Sequence, residues 1–158
     1  MYPVKLGYGE AKIRINQLLQ NGHSAEALLT SVFTFEKVIH RTLKQLIVSA
    51  GFRSKDAEAI LGRAQGFRAQ ADLWPCFDPD HAKLPEIIGN AHWQHLAKVV
   101  KMRNNLVHGS KVYKLSECKA EAVKMLSLLD QTVDSFNSKY SYDGWSRVAV
   151  RKKSVLHI

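Results

Sequence analysis

Arg103 and His108 stand five positions apart in the string Arg103-Asn104-Asn105-Leu106-Val107-His108-Gly109. The pair joins a side chain that is always cationic to one that exchanges protons near neutral pH. A guanidinium can neutralise charge developing on an anionic substrate, and an imidazole can take a proton and return it. Asn104 precedes His108 by four residues, a spacing at which side chains on one helix touch, so it can orient the ring. Each residue also has a purely structural use: His108 as a cap on the last carbonyls of a helix, Arg103 as half of an ion pair. Glu36 is the natural partner for Arg103, because it sits among Phe33, Phe35 and Val38 beside an apolar stripe.

The helix carrying these residues is expected over 90–108, with Gly109 as its left-handed cap. Leu96, Val100, Arg103 and Val107 follow the spacing of a core-facing stripe, which predicts that Arg103 points inward. Lys101, Asn104, Asn105 and His108 form a second, polar stripe. Five helical positions amount to about 140° beyond one turn, so Arg103 and His108 do not share a face of a straight helix. They can meet if the Arg side chain swings around, if the helix unwinds before Gly109, or if two copies combine their motifs across a two-fold axis.

The rest of the chain reads as helix. One helix is expected over 10–21, with Ile13, Leu18 and Leu19 inward. Ser24 opens a long one to about residue 50, with the stripe Leu28, Val32, Phe35, Ile39, Leu43, Leu46 and Ala50. A third is expected over 54–70, weakened by Gly62 and Gly66. Residues 74–85 carry Pro75, Pro79 and Pro85 and read as a loop. The last helix begins at Ser116 and repeats Ala122, Leu126, Leu129, Val133, Phe136 and Tyr140 in steps of four and three, the seam of an antiparallel bundle. The fold class is therefore all-α, a bundle of four to five antiparallel helices in a single domain over 1–144. Residues 145–158 read as a basic tail or a short strand.

Charge narrows the partners. The chain of 158 residues carries a net charge of +9. Residues 87–116 hold no Asp or Glu but include Lys98, Lys101, Arg103, Lys111 and Lys114. Arg147, Arg151, Lys152 and Lys153 make a second basic cluster near the end. A basic stretch that coincides with the candidate site favours nucleic acid, with those four lysines as phosphate contacts. His92 and His95 are three apart with no Cys or carboxylate near them in sequence, and Cys76 and Cys118 stand alone. No Gly-rich phosphate loop is present, so neither a metal nor a cofactor is expected. Trp74 and Trp93 read as core or interface residues ahead of base-stacking platforms. No stretch approaches the roughly 20 apolar residues of a membrane span, and the first residues lack the apolar run of a signal peptide. A cytoplasmic protein with reduced thiols is expected.

The string Arg-Asn-x-Leu-Val-His-Gly, closing a helix in an all-helical chain, resembles the HEPN family (higher eukaryotes and prokaryotes nucleotide-binding domains). The hallmark of that family is Arg-x4–6-His, often with a polar residue straight after the Arg, and Arg103, Asn104 and His108 match it one for one. The resemblance implies a helical bundle that pairs as a homodimer and lines a cleft with both motifs. It implies a metal-independent endoribonuclease that leaves a 2′,3′-cyclic phosphate and a 5′-hydroxyl. Such domains often serve as toxins or in defence against phage. Some carry a Tyr two residues after the motif His, to which a nucleotidyltransferase antitoxin attaches AMP. Here that position is Ser110, and the nearest tyrosine is Tyr113. The alternative function is a non-catalytic HEPN-like module that binds nucleotide, nucleic acid or a protein through the same basic surface.

Overall fold

The computed structural model describes residues 8–142. The expected tail over 145–158, with its basic cluster, lies outside them. The described chain is all-α, with seven helices and no strand: α1 (Tyr8–Gln20), α2 (Ser24–Ser49), α3 (Ser54–Arg63), α4 (Phe67–Phe77), α5 (Leu84–Ile88), α6 (Asn90–His108) and α7 (Leu115–Tyr140). They fall into two compact units. The first holds the described residues up to Phe35 together with Asn90–Thr132. The second holds Glu36–Gly89 and the described residues from Val133 on.

The first unit contains α1, the start of α2, α6 and most of α7. Its apolar core comes from Ala11 and Ile15, from Leu28, Val32 and Phe35, from Leu96, Val99 and Met102, and from Ala122, Met125 and Leu129. The stripe expected for α2 holds at every position but its last, since Ala50 is exposed. The inner face of α1 is only partly the expected one, with Leu18 and Leu19 half-buried. Ile13 is 59 % exposed, while Ala11 and Ile15 are buried. The reason is polar. Tyr8 and Lys12, on the same face as Ala11 and Ile15, both donate to the Asp130 carboxylate of α7, the Lys12 bond being 2.7 Å. That pair of bonds sets the rotation of α1, which hydropathy alone did not reveal.

In the second unit the third expected helix is two. α3 stops at Arg63, and α4 restarts after Gly66, whose φ of +88° lies in the left-handed region that glycine adopts without strain. The loop expected over 74–85 is also partly helical, because α4 continues through Pro75 to Phe77 and α5 begins at Leu84. Proline normally ends a helix. Here the turn is held by Trp74, which is fully buried, stacks on Phe136 at 5.3 Å between ring centroids and donates to the Tyr140 hydroxyl at 3.0 Å. Tyr140 in turn donates to Asp78, which also accepts the backbone N–H of Asp80 (2.8 Å) and of Ala82 (3.0 Å). Tertiary burial outweighs the proline. The short α5 starts with Pro85 in its first turn, where the missing N–H costs nothing, and Glu86 accepts the Lys83 N–H at 3.0 Å.

Candidate active site

Helix α6 runs unbroken to His108, so it does not unwind before Gly109. Its end is closed by the backbone. Ser110 N–H donates to the Asn105 carbonyl at 3.0 Å and Gly109 N–H to the Leu106 carbonyl at 3.3 Å, while Gly109 takes a φ of +63°. The helix therefore does not need the His108 ring as a cap. That ring is exposed and has no hydrogen-bond partner among the described residues.

The buried face of α6 is Leu96, Val99 and Met102, with Val100 half-buried and Val107 56 % exposed. Arg103 thus lies at the edge of the core and does not interrupt its stripe. Two apolar series are interleaved in this helix, and both have helical spacing, so periodicity could not choose between them. At that edge Arg103 is half-buried and held on two sides. Its guanidinium lies over the Phe33 ring of α2, 5.2 Å from the centroid, and its Nε donates to Asn104 Oδ1 at 2.8 Å. The Phe33 contact is a cation–π interaction worth about 1 kcal/mol at such a partly exposed site. Asn104 therefore serves Arg103, and no hydrogen bond joins it to His108 among the described residues.

The four lysines separate into two groups. Lys98, Lys101 and Lys111 line one open cleft of about 570 Å³ with Asn105, Tyr113, Glu117 and Glu121, whereas Lys114 does not line it. Arg103, Asn104 and His108 are not among its lining residues either. The cleft is built by the turn between α6 and α7. Asn105 Nδ2 donates to the Tyr113 hydroxyl at 2.8 Å, and Lys111 Nζ sits 5.0 Å from the Tyr113 ring centroid. Glu117 accepts the Lys114 N–H at 2.9 Å and starts α7.

Opposite the lysines lies Glu121, a nearly buried carboxylate. Lys98 donates to its Oε1 at 2.8 Å, and this bond raises the Lys98 ammonium above its ordinary pKa. His95 Nε2 approaches Glu121 Oε2 to 3.1 Å but is misaligned for a hydrogen bond. Burial pushes the His95 pKa below its ordinary value, against the opposing pull of the Glu121 carboxylate. His95 thus has a carboxylate beside it, although no group of three metal-binding side chains forms among the described residues. Sequence reading missed Tyr113 and Glu121 as members of one surface. Glu121 lies 23 residues from Lys98, and nothing local announces their meeting.

Glu36, expected to support Arg103, is half-buried on α2 and belongs to the second unit. There it lines a cavity of about 290 Å³ with Lys37, His40 and Gln70. Among the described residues no helix is long and apolar enough to cross a membrane. No family model, curated protein or solved structure matches the chain.

Proposed function

We propose that this protein is a metal-independent endoribonuclease of the HEPN type, a toxin or phage-defence effector that works as a homodimer. The observation that carries the reading is the pairing of an unengaged, exposed His108 with a guanidinium held in place five residues earlier. In the proposed reaction the His108 imidazole takes the proton of a ribose 2′-hydroxyl. The 2′-oxygen attacks the adjacent phosphorus, the bond from phosphorus to the 5′-oxygen breaks, and that oxygen leaves with a proton returned by the imidazolium. Arg103 neutralises the charge that gathers on the phosphorane oxygens. Because α6 stays helical to its end, the 140° offset persists within one chain. The Arg103 of one copy and the His108 of another then complete each site. Lys98, Lys101, Lys111 and Lys114 supply the positive surface for RNA.

The test is cleavage of single-stranded RNA in excess EDTA. Arg103→Ala and His108→Ala are each expected to slow it by about a hundredfold or more. Undiminished cleavage by both variants would sink the assignment. Induced expression of wild type beside His108→Ala, with growth followed, tests the toxin role, which requires that the variant lose toxicity. The second reading, a non-catalytic nucleic-acid-binding module, draws on the lysine cleft, which is separate from the motif. It predicts RNA binding without any cleavage.

A further inference from the structure

We infer that the cleft between α6 and the α6–α7 turn is a phosphate subsite for single-stranded RNA, with Lys101 and Lys111 as its two cationic contacts. This rests on RNA being the ligand, as proposed above, but not on the protein cutting it. Three features of the cleft select that ligand class.

The first is the division of labour among its cations. Glu121 holds Lys98 against the wall at 2.8 Å, while Lys101 and Lys111 make no ion pair among the described residues. Two ammonium groups thus remain for an incoming anion. Of the two carboxylates that line the cleft, Glu121 is matched by Lys98 and Glu117 accepts the Lys114 N–H, so the cations outnumber them. The second is size and lining. A volume of about 570 Å³ is far more than a lone phosphate fills, and Met102 and the Tyr113 ring give it apolar surface for a ribose or base. The third is direction. Lys101 precedes His108 by seven residues, which on a helix is the same face, two turns and roughly 10 Å apart. A strand laid along that face passes from the cleft to His108. Tyr113 keeps Lys111 beside this path, because its ring lies under the ammonium and its hydroxyl is fixed by Asn105.

The experiment measures binding of a short fluorescent oligouridine across a salt series, with every variant built on His108→Ala so that no cutting intervenes. Lys101→Ala/Lys111→Ala is expected to weaken binding about tenfold and to flatten the plot of log affinity against log salt by about 1.4, two phosphate contacts at about 0.7 each. The control Lys119→Ala/Lys124→Ala removes the same charge from exposed positions on α7 outside the cleft, and should leave the slope nearly unchanged. Equal losses in the two double variants would overturn the subsite, leaving only a diffuse positive surface. Displacement of the oligonucleotide by uridine monophosphate or inorganic phosphate at equal phosphate concentration would also overturn it, in favour of a small-anion site. The two proposals fail separately. Loss of binding in the cleft variant, with no cleavage by wild type, keeps the subsite and removes the nuclease. Cleavage by wild type, with cleft and control variants alike, does the reverse.

Discussion

At the scale of single residues, positions are set by partners that sequence spacing does not reveal. Arg103 is steered by the face of Phe33. Phe33→Leu should keep the apolar bulk but lose the ring, and so lower single-turnover cleavage several-fold while RNA affinity holds. Phe33→Tyr, which restores a π-face, should recover the rate. Equal rates in all three proteins would mean that the ring does not position the guanidinium. Asp78 gives a second test at this scale. Burial alone would raise its pKa, but hydrogen bonds from Tyr140, Ala82 and Asp80, together with nearby Lys139, hold it below the ordinary carboxylate range. A depressed folded-state pKa adds stability above the unfolded value, and this is lost as pH falls through the folded one. Asp78→Asn should therefore cost about 2 kcal/mol at neutral pH. The gap from wild type should close in denaturant melts carried into the acid range below ordinary carboxylate titration. A gap independent of pH would show that charge on Asp78 is not the stabilising element.

At the scale of elements, a helix was legible where one apolar series dominated and its ends carried strong signals. α2 and α7 satisfy both conditions, and α6 begins and ends where Asn90 and Gly109 predict. The rotation of α6 was not legible, because Leu96, Val99 and Met102 compete with Leu96, Val100 and Val107, and both series fit a helical period. Prolines hid the end of α4 and the whole of α5: the local cost of Pro75 is offset by burial of Trp74, which no local rule weighs, and Pro85 opens α5 at no cost. The candidate motif could be read from the string itself. The cleft could not, because Glu121 arrives from another helix. The cap of α6 offers a check. Gly109→Ala would force a side chain into a φ of +63° and should lower stability by about 1 kcal/mol. An unchanged melting temperature would show that the turn relaxes at no cost.

At the scale of the whole molecule, the homodimer proposal makes the site depend on concentration. Light scattering at micromolar protein should give twice the chain mass. Mixing Arg103→Ala with His108→Ala should then recover part of the cleavage, because one site of each mixed dimer is intact. A monomer, or a mixture as inactive as its parts, would remove the composite site. The expectation that Glu36 supports Arg103 is also a question for the entire chain. If it does, Glu36→Ala should cost on the order of 3 kcal/mol, and a double-mutant cycle with Arg103→Ala should show strong coupling. Additive losses would end that idea.

Asn105 spends its carbonyl and both ends of its side-chain amide on the turn after α6. Its carbonyl accepts from the Ser110 N–H, its Oδ1 from the Ser110 hydroxyl at 3.3 Å, and its Nδ2 donates to Tyr113. No other side chain offers one acceptor and one donor at that length. Aspartate loses the donor, and leucine loses both. A saturation library should therefore be nearly empty at this position, although its neighbours Asn104 and Val107 tolerate broad replacement for folding. The Ser110 amide, in a turn otherwise open to solvent, should exchange with deuterium at the pace of the helix interior.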